Sequence, residues 1–487
     1  MESDIGREPL LNSVTQPSTR RVRMTQPFSL SNIGWYCLLL NFLCALSESI
    51  LNSPLLAVYE RSLCITYYDA HPDLTEPLLM NSNSRCKIVP IQQDLATVRG
   101  WKSLFDAIPA LLFAIPFGRM ADRVGRPRVY VLSLVGSALA LSWELIICLY
   151  PHQFPLRWVW FSSLLQCIGG GAATSDAMLM AIAADASASR DRIQTMSYLY
   201  AAFVLAEIIG PFAASASMRI SLWIPCLIGL GLLILSIVVV VLIADSSPKK
   251  THSSPYSTAE SAPQGIEPLD TTGLHSGTTS PNTTQISHGY AAVVNENMGY
   301  LLRKNIILVM PQFFVLPLRY ILLGILVQYS SARFGWDIAD SGVLQSEVAI
   351  VGLVQYVFLL PIFVKYLRSK PRANLERVDL EVTSYSISCL CIGSLCIGLC
   401  SSRWLLVPAV LIFSLGFGIR APLLSFLSLQ GVDESRAVLF STATVVANMG
   451  QLVCSPIWGY MFALSSGLDS IWQGLPFYLG AVWLPLS

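Results

Sequence analysis

Eight charged side chains sit inside long apolar runs of this 487-residue chain: Glu48, Asp106, Glu144, Asp176, Glu207, Arg319, Glu347 and Arg420. A charge in hydrocarbon costs a few kcal/mol at least, so each must be paired, neutralised or turned toward water. A carboxylate among apolar walls holds its proton more tightly than one in water, which suits reversible proton binding near neutral pH. Glu48, Asp176, Glu207 and Glu347 are therefore candidates for binding a proton or a ligand. Arg319 and Arg420 are candidate counter-ions, or anchors for an anionic group. Ion pairs that merely join helices would use the same residues, and Asp106 and Glu144 suit that structural role better.

Catalytic chemistry has little to draw on. His71, His152, His252, His275 and His288 all fall in polar stretches, with no cysteine or aspartate at a nucleophile or metal spacing. Cys389, Cys391, Cys396 and Cys400 crowd one apolar segment without histidine or carboxylate, so they read as packing and no metal site is expected. No glycine loop leads into Lys-Ser or Lys-Thr, so ATP is not the expected driver. The reading is of a chain that is not an enzyme and carries no cofactor.

The elements that must hold these charges are membrane spans. Apolar residues are 53% of the chain and charged ones 13%, about half the ~25% of a soluble domain. Mean hydropathy is +0.57. A net charge of +1 points to no polyanion, so nucleic acid is not an expected partner. Runs of about 20 apolar residues, the length needed to cross a bilayer, fall near 33–57, 100–119, 129–150, 157–183, 193–217 and 220–243. A second set falls near 305–329, 341–364, 380–400, 403–429, 437–463 and 472–487. The fold class is thus all-α membrane protein, with twelve transmembrane helices in two six-helix bundles. The last run is short. Residues 1–32 form a polar tail, 33–243 and 303–487 the bundles, and 244–302 a flexible Ser/Thr/Pro/Gly-rich linker.

Lys and Arg set the orientation. Of 31, 20 fall on the side of the N-terminus, nine on the other side and two, Arg319 and Arg420, inside spans. The nine are Arg61, Arg85, Lys87, Arg99, Lys102, Arg157, Arg219, Arg333 and Arg403. Both termini and the linker are expected in the cytoplasm, so the linker sequon at Asn282 should carry no glycan. Cys64 and Cys86 flank the first outer loop, read as residues 58–99, which favours a disulfide between them.

The loop after the second span reads Gly118-Arg119-Met120-Ala121-Asp122-Arg123-Val124-Gly125-Arg126-Pro127-Arg128. It resembles the G-x-x-x-D-R-x-G-R signature of the major facilitator superfamily, at the place where that family carries it. The resemblance implies a transporter whose two halves rock about a midplane site, with spans 1, 4, 7 and 10 around the cavity. It also implies that Gly118, Asp122, Arg123, Gly125 and Arg126, with Asp185 as acidic partner and Arg192 following, form a gating network that does not touch substrate. Gly118 would let two helices approach closely, and Asp122 and Arg126 would pair.

Other marks of the family are partial. Gly169-Gly170-Gly171-Ala172-Ala173 resembles the fourth-span glycine stretch of proton-coupled members, but Leu165 stands where they carry arginine. Gly210-Pro211 matches the centre of the antiporter signature, with Ser197, Ala206, Ala214 and Ser215 at its small positions. The chain is most similar to fungal members, with a distant likeness to proton-coupled folate transporters. Export of a small organic molecule, such as a secondary metabolite or toxin, with proton coupling, is the leading expectation. Proton-coupled import of a nutrient and a non-transporting receptor stay open. The expected partners are the bilayer, the substrate and protons, for a monomer in the plasma membrane rather than the vacuole.

Overall fold

The computed structural model describes residues 32–72, 86–186, 192–246, 304–369, 375–430, 436–469 and 471–486. The tail and the linker, including Asn282, lie outside the described residues. Everything described is helix or short connection, without strands. In lipid a helix satisfies its own backbone hydrogen bonds, which an open sheet edge cannot do.

Twelve membrane helices follow one another. The first six are α1 (Asn32–Ala70), α2 (Val89–Val124), α3 (Arg126–Leu149), α4 (Leu156–Ala186), α5 (Arg192–Met218) and α6 (Trp223–Ser246). In the second half α7 joins Lys304–Val315 to Leu318–Phe334, and α8 joins Ile338–Val354 to Leu360–Arg368. Next come α9 (Leu375–Leu399) and α10, which joins Arg403–Ser414 to Arg420–Gln430. The chain closes with α11 (Arg436–Ser465) and α12 (Leu475–Leu486). Nine helices among the described residues are long and apolar enough to span unaided. Of the other three, α2 carries Arg99, Lys102 and Asp106 in its course, and α12 has 12 residues, about 18 Å of helix.

The first outer loop is shorter than the expected 58–99. With 39 residues, α1 runs about 58 Å, well beyond a ~30 Å hydrocarbon core, and α2 already begins at Val89. Hydropathy marks the bilayer, but a helix continues wherever its polar side chains find partners. Here Gln92 donates to Glu60 at 2.5 Å, tying the two extensions together. Cys64 and Cys86 are joined in the same region (S–S 2.00 Å). This is the disulfide end of the molecule. Since α2 runs away from it, Gly118–Arg128 lies at the opposite, motif end.

Several spans are interrupted. The segments of α7 meet at Pro317, and α8 passes through a π-helical turn, Gln355–Leu359, just before Pro361. The sequence reads the fourth span as one helix, but α4 is broken. It starts as a 3-10 turn (Leu156–Phe161), unwinds at Cys167–Gly170, and restarts at Gly171.

Within the halves, α1 packs on α5 and α6, and α9 on α10 and α12. Buried Tyr130, Leu179 and Leu199 centre one core, and Leu322, Tyr329, Phe413 and Phe477 another. Between the halves the main seams are α2 with α11 and α5 with α8. Lipid gives helices no hydrophobic drive to associate, so such seams depend on close packing and hydrogen bonds. A Cβ on Gly459 would lie 3.0 Å from the Gly100 Cα, so the first seam is nearly backbone on backbone. In the second, Ser346 of α8 donates to the Ile208 carbonyl of α5 at 3.0 Å.

Most polar contacts across the halves gather at the disulfide end. Lys87 donates to the Trp336 carbonyl (2.5 Å), Arg99 to Gly324 (3.2 Å) and Gln328 to Gln92 (3.1 Å). Arg219 pairs with Asp340 at 3.1 Å. Burial pushes the Lys87 ammonium below its ordinary range, while the carboxylates of Glu60 and Asp337 oppose that shift.

Candidate functional site

Between the halves lies a cavity of about 720 Å³, walled mainly by α1, α2, α3, α4 and α5, with Arg420 from α10 facing them. A neighbouring lobe of about 430 Å³ reaches Asn448 and Gln451 of α11. A recess of about 160 Å³ lies against Arg319 and Arg420. The walls run toward the motif end as far as Asn41, Met180 and Met196.

Two of the sequence candidates meet on one wall. Glu48 of α1 and Asp176 of α4 both line the main cavity and are open to it. Glu207 of α5 stands close by, beside Ser49. None of the three carboxylates forms an ion pair among the described residues. Glu347 is half-buried on α8 and is not among the residues that line the cavities described above.

Lys102 and Arg99 are not outer-loop residues. Both are on α2 and line the cavity. Lys102 pairs with Asp106 one turn on, and with Glu144 of α3 at 3.0 Å. Tyr59 donates to the other oxygen of Glu144 at 2.5 Å, and Asp106 accepts from Ser163 (2.6 Å) and Gln166 (3.1 Å). The two carboxylates read from sequence as suited to structural ion pairs are thus held by a lysine that sequence counted on the outer side. The available signal was the spacing Lys102–Asp106, i and i+4 on a helix.

The opposite wall is cationic. Arg319 is 2% exposed; it donates to the Phe417 carbonyl (2.9 Å) and toward the Tyr320 hydroxyl (3.4 Å). Its guanidinium lies 4.8 Å from the Tyr320 ring centre and 5.3 Å from that of Phe417, a cation–π arrangement. Its Nε has no partner among the described residues. Arg420 opens into the cavity and forms no ion pair among the described residues. Tyr200 of α5 and Tyr356 of α8 meet edge to face across the halves, 6.0 Å between centres.

The break in α4 shapes the acidic wall. Gly170 and Gly171 have φ of +80° and +74°, where a side chain would be strained. Ser133 of α3 donates to the Gly171 carbonyl at 2.9 Å, and Thr174 to that of Gly170 at 2.9 Å. The restarted segment then carries Ala172, Ser175 and Asp176 along the cavity.

At the motif end Gly125, at φ +103°, separates α2 from α3. Arg126 pairs with Asp185 of α4 and donates to the Ala181 carbonyl at 3.0 Å. The side chains of Asp122 and Arg192 lie outside the described residues, and with them the expected pairing of Asp122 with Arg126. Arg123 is exposed. The close approach expected at Gly118 is absent here, since a Cβ there would meet nothing within 4 Å among the described residues.

Two six-helix halves around a charged cavity, sealed together at one end, define a membrane transporter. Residues 37–453 match the model of the Major Facilitator Superfamily, and the chain belongs to that family. It is 28% identical over 439 residues to the MFS efflux pump atnC of Emericella nidulans, covering 89% of this chain and 82% of the relative. It is 29% identical over 418 residues to the efflux pump ustT of Aspergillus flavus, covering 85% and 78%. Among solved structures, the nucleoside transporter NupG superposes with a TM-score of 0.58 at 12% identity, covering 94% of this chain and 97% of the other. At that identity the likeness concerns the fold alone.

Proposed function

We propose that the chain exports a small organic molecule, a secondary metabolite or toxin, by alternating access coupled to protons. One observation carries this reading: a cavity lined by unpaired charges lies between halves whose polar contacts with each other gather toward the disulfide end. With the termini and the motif loop in the cytoplasm, this is the inward-open state, ready to load from inside the cell. Arg126 and Asp185, with the rest of the motif, would engage the C-terminal half when the cavity turns outward. Glu48, Asp176 and Glu207 are the carboxylates proposed to exchange protons with the outside, with Glu347 as a further candidate. The names of the two fungal relatives support export over import. The proposed setting is the plasma membrane, and the working unit a monomer.

The test is accumulation of candidate compounds in cells that lack or overexpress the chain. Lower accumulation on overexpression is the expected result. Higher accumulation would mean import, and altered signalling without transport would mean a receptor. Glu48→Gln should flatten the dependence of export on external pH; an unchanged pH profile would remove Glu48 from coupling.

A further inference from the structure

The charges of the cavity sort by half. On the N-terminal wall, Glu48 and Asp176 face the space without a cation. Of the cations on that wall, Lys102 is already paired with Asp106 and Glu144, and Arg99, less open to the space, reaches across to the Gly324 carbonyl of the other half. On the C-terminal wall stand Arg319 and Arg420, neither in an ion pair among the described residues. Arg319 is almost wholly buried, and its Nε is an unmet donor beside the recess. A buried guanidinium with no counter-anion is costly, and the occupant of the cavity is the natural source of one.

Resting on the export reading above, we propose that the transported compound is a zwitterion. Arg319 and Arg420 take its acidic group, a carboxylate in the simplest case, and Glu48 and Asp176 take its protonated amine. A neutral compound would leave both walls uncompensated. A simple cation would leave the arginines unmet, and a simple anion would bring its charge against the carboxylates. Tyr320 beside the recess and Tyr200 and Phe203 on the cavity wall give the body of the molecule aromatic surfaces to lie against. Because its two charges are held by opposite halves, a zwitterion draws the walls together. Such a ligand binds the closed cavity better than the open one, which is the differential affinity that drives closure.

The experiment uses the full chain in liposomes and two fluorescent or aromatic scaffolds, Nε-dansyl-lysine and phenylalanyl-tyrosine. Each is supplied as the zwitterion, the carboxyl methyl ester and the N-acetyl derivative. At least one scaffold should be moved about tenfold faster as the zwitterion than in either blocked form. Arg420→Gln, at a position open to the cavity, should lower zwitterion transport about tenfold and leave the ester unaffected, with thermal stability unchanged. Arg319→Lys, which keeps a charge but loses the fork, gives a second variant. Equal transport of zwitterion and blocked forms would overturn the inference while leaving export intact. No movement of any of the six, with folded protein, would overturn it as well. The export reading is judged separately by cellular accumulation.

Discussion

Replacing Lys102 by methionine keeps the apolar stem and removes the one cation that Asp106 and Glu144 share. The Glu144 pair is deeply placed, with side-chain exposures of 11% for Lys102 and 8% for Glu144. Breaking a pair of that kind costs about 3–5 kcal/mol. Asp106 is 31% exposed toward the cavity, so its share is discounted to below about 1 kcal/mol. Glu144 keeps its bond from Tyr59, worth about 1.5 kcal/mol, which places the net loss near the lower bound, about 3 kcal/mol. In the double variant Lys102→Met/Glu144→Gln no charge is stranded at that position, and Tyr59 still has an acceptor. The double change should therefore cost about 2 kcal/mol less than the sum of the singles. Reversible unfolding in mixed micelles, followed by tryptophan fluorescence, measures all three. If the singles add to within about 0.5 kcal/mol, the pair is not coupled and the reasoning fails.

Removing the disulfide by Cys64→Ser should destabilise the chain by about 3 kcal/mol, since the bridge closes a segment of separation 22; thermal unfolding with and without reductant checks this, and wild type in reductant should match the variant. Arg126→Ala breaks a pair whose side chains are 33% and 65% exposed, so stability should change by less than about 1 kcal/mol while transport falls severalfold. Unfolding and transport measured together separate the two effects, and unimpaired transport would refute a gating role. Gly170→Ala places a Cβ at φ +80° and 2.5 Å from Thr174 Oγ1, for a loss of at least about 1–2 kcal/mol. A thermal unfolding temperature equal to wild type would refute the need for the break in α4.

Much of the site could be read from the chain because charge in an apolar run is conspicuous. Glu48, Asp176, Arg319 and Arg420 stood out for that reason, and the structure sets them around one space. Lys102 was hidden by its neighbourhood: the stretch before it holds Gln92, Gln93, Asp94 and Arg99, so hydropathy starts the span at 100 and the lysine, at its very rim, counts with the outer side. The helix itself carries on through that stretch to Val89, because Gln92 and Arg99 find partners on α1 and α7. Glu347 is equally conspicuous, but it is not among the residues that line the cavities described above. Gly169-Gly170-Gly171 was visible as a family mark, yet composition says nothing of φ, so the unwinding was not legible. Gly118 was legible only as part of a motif, and a Cβ there would meet nothing within 4 Å among the described residues.

The seal at the disulfide end is chemically asymmetric. Lys87 and Arg99 of the N-terminal half reach main-chain carbonyls of the other half, those of Trp336 and Gly324. Every residue type carries such an acceptor, so substitution at 324 or 336 need not remove it. A chain built this way can revise the rim of its C-terminal half at the disulfide end, while these two bonds of the lock are inherited from the N-terminal half alone.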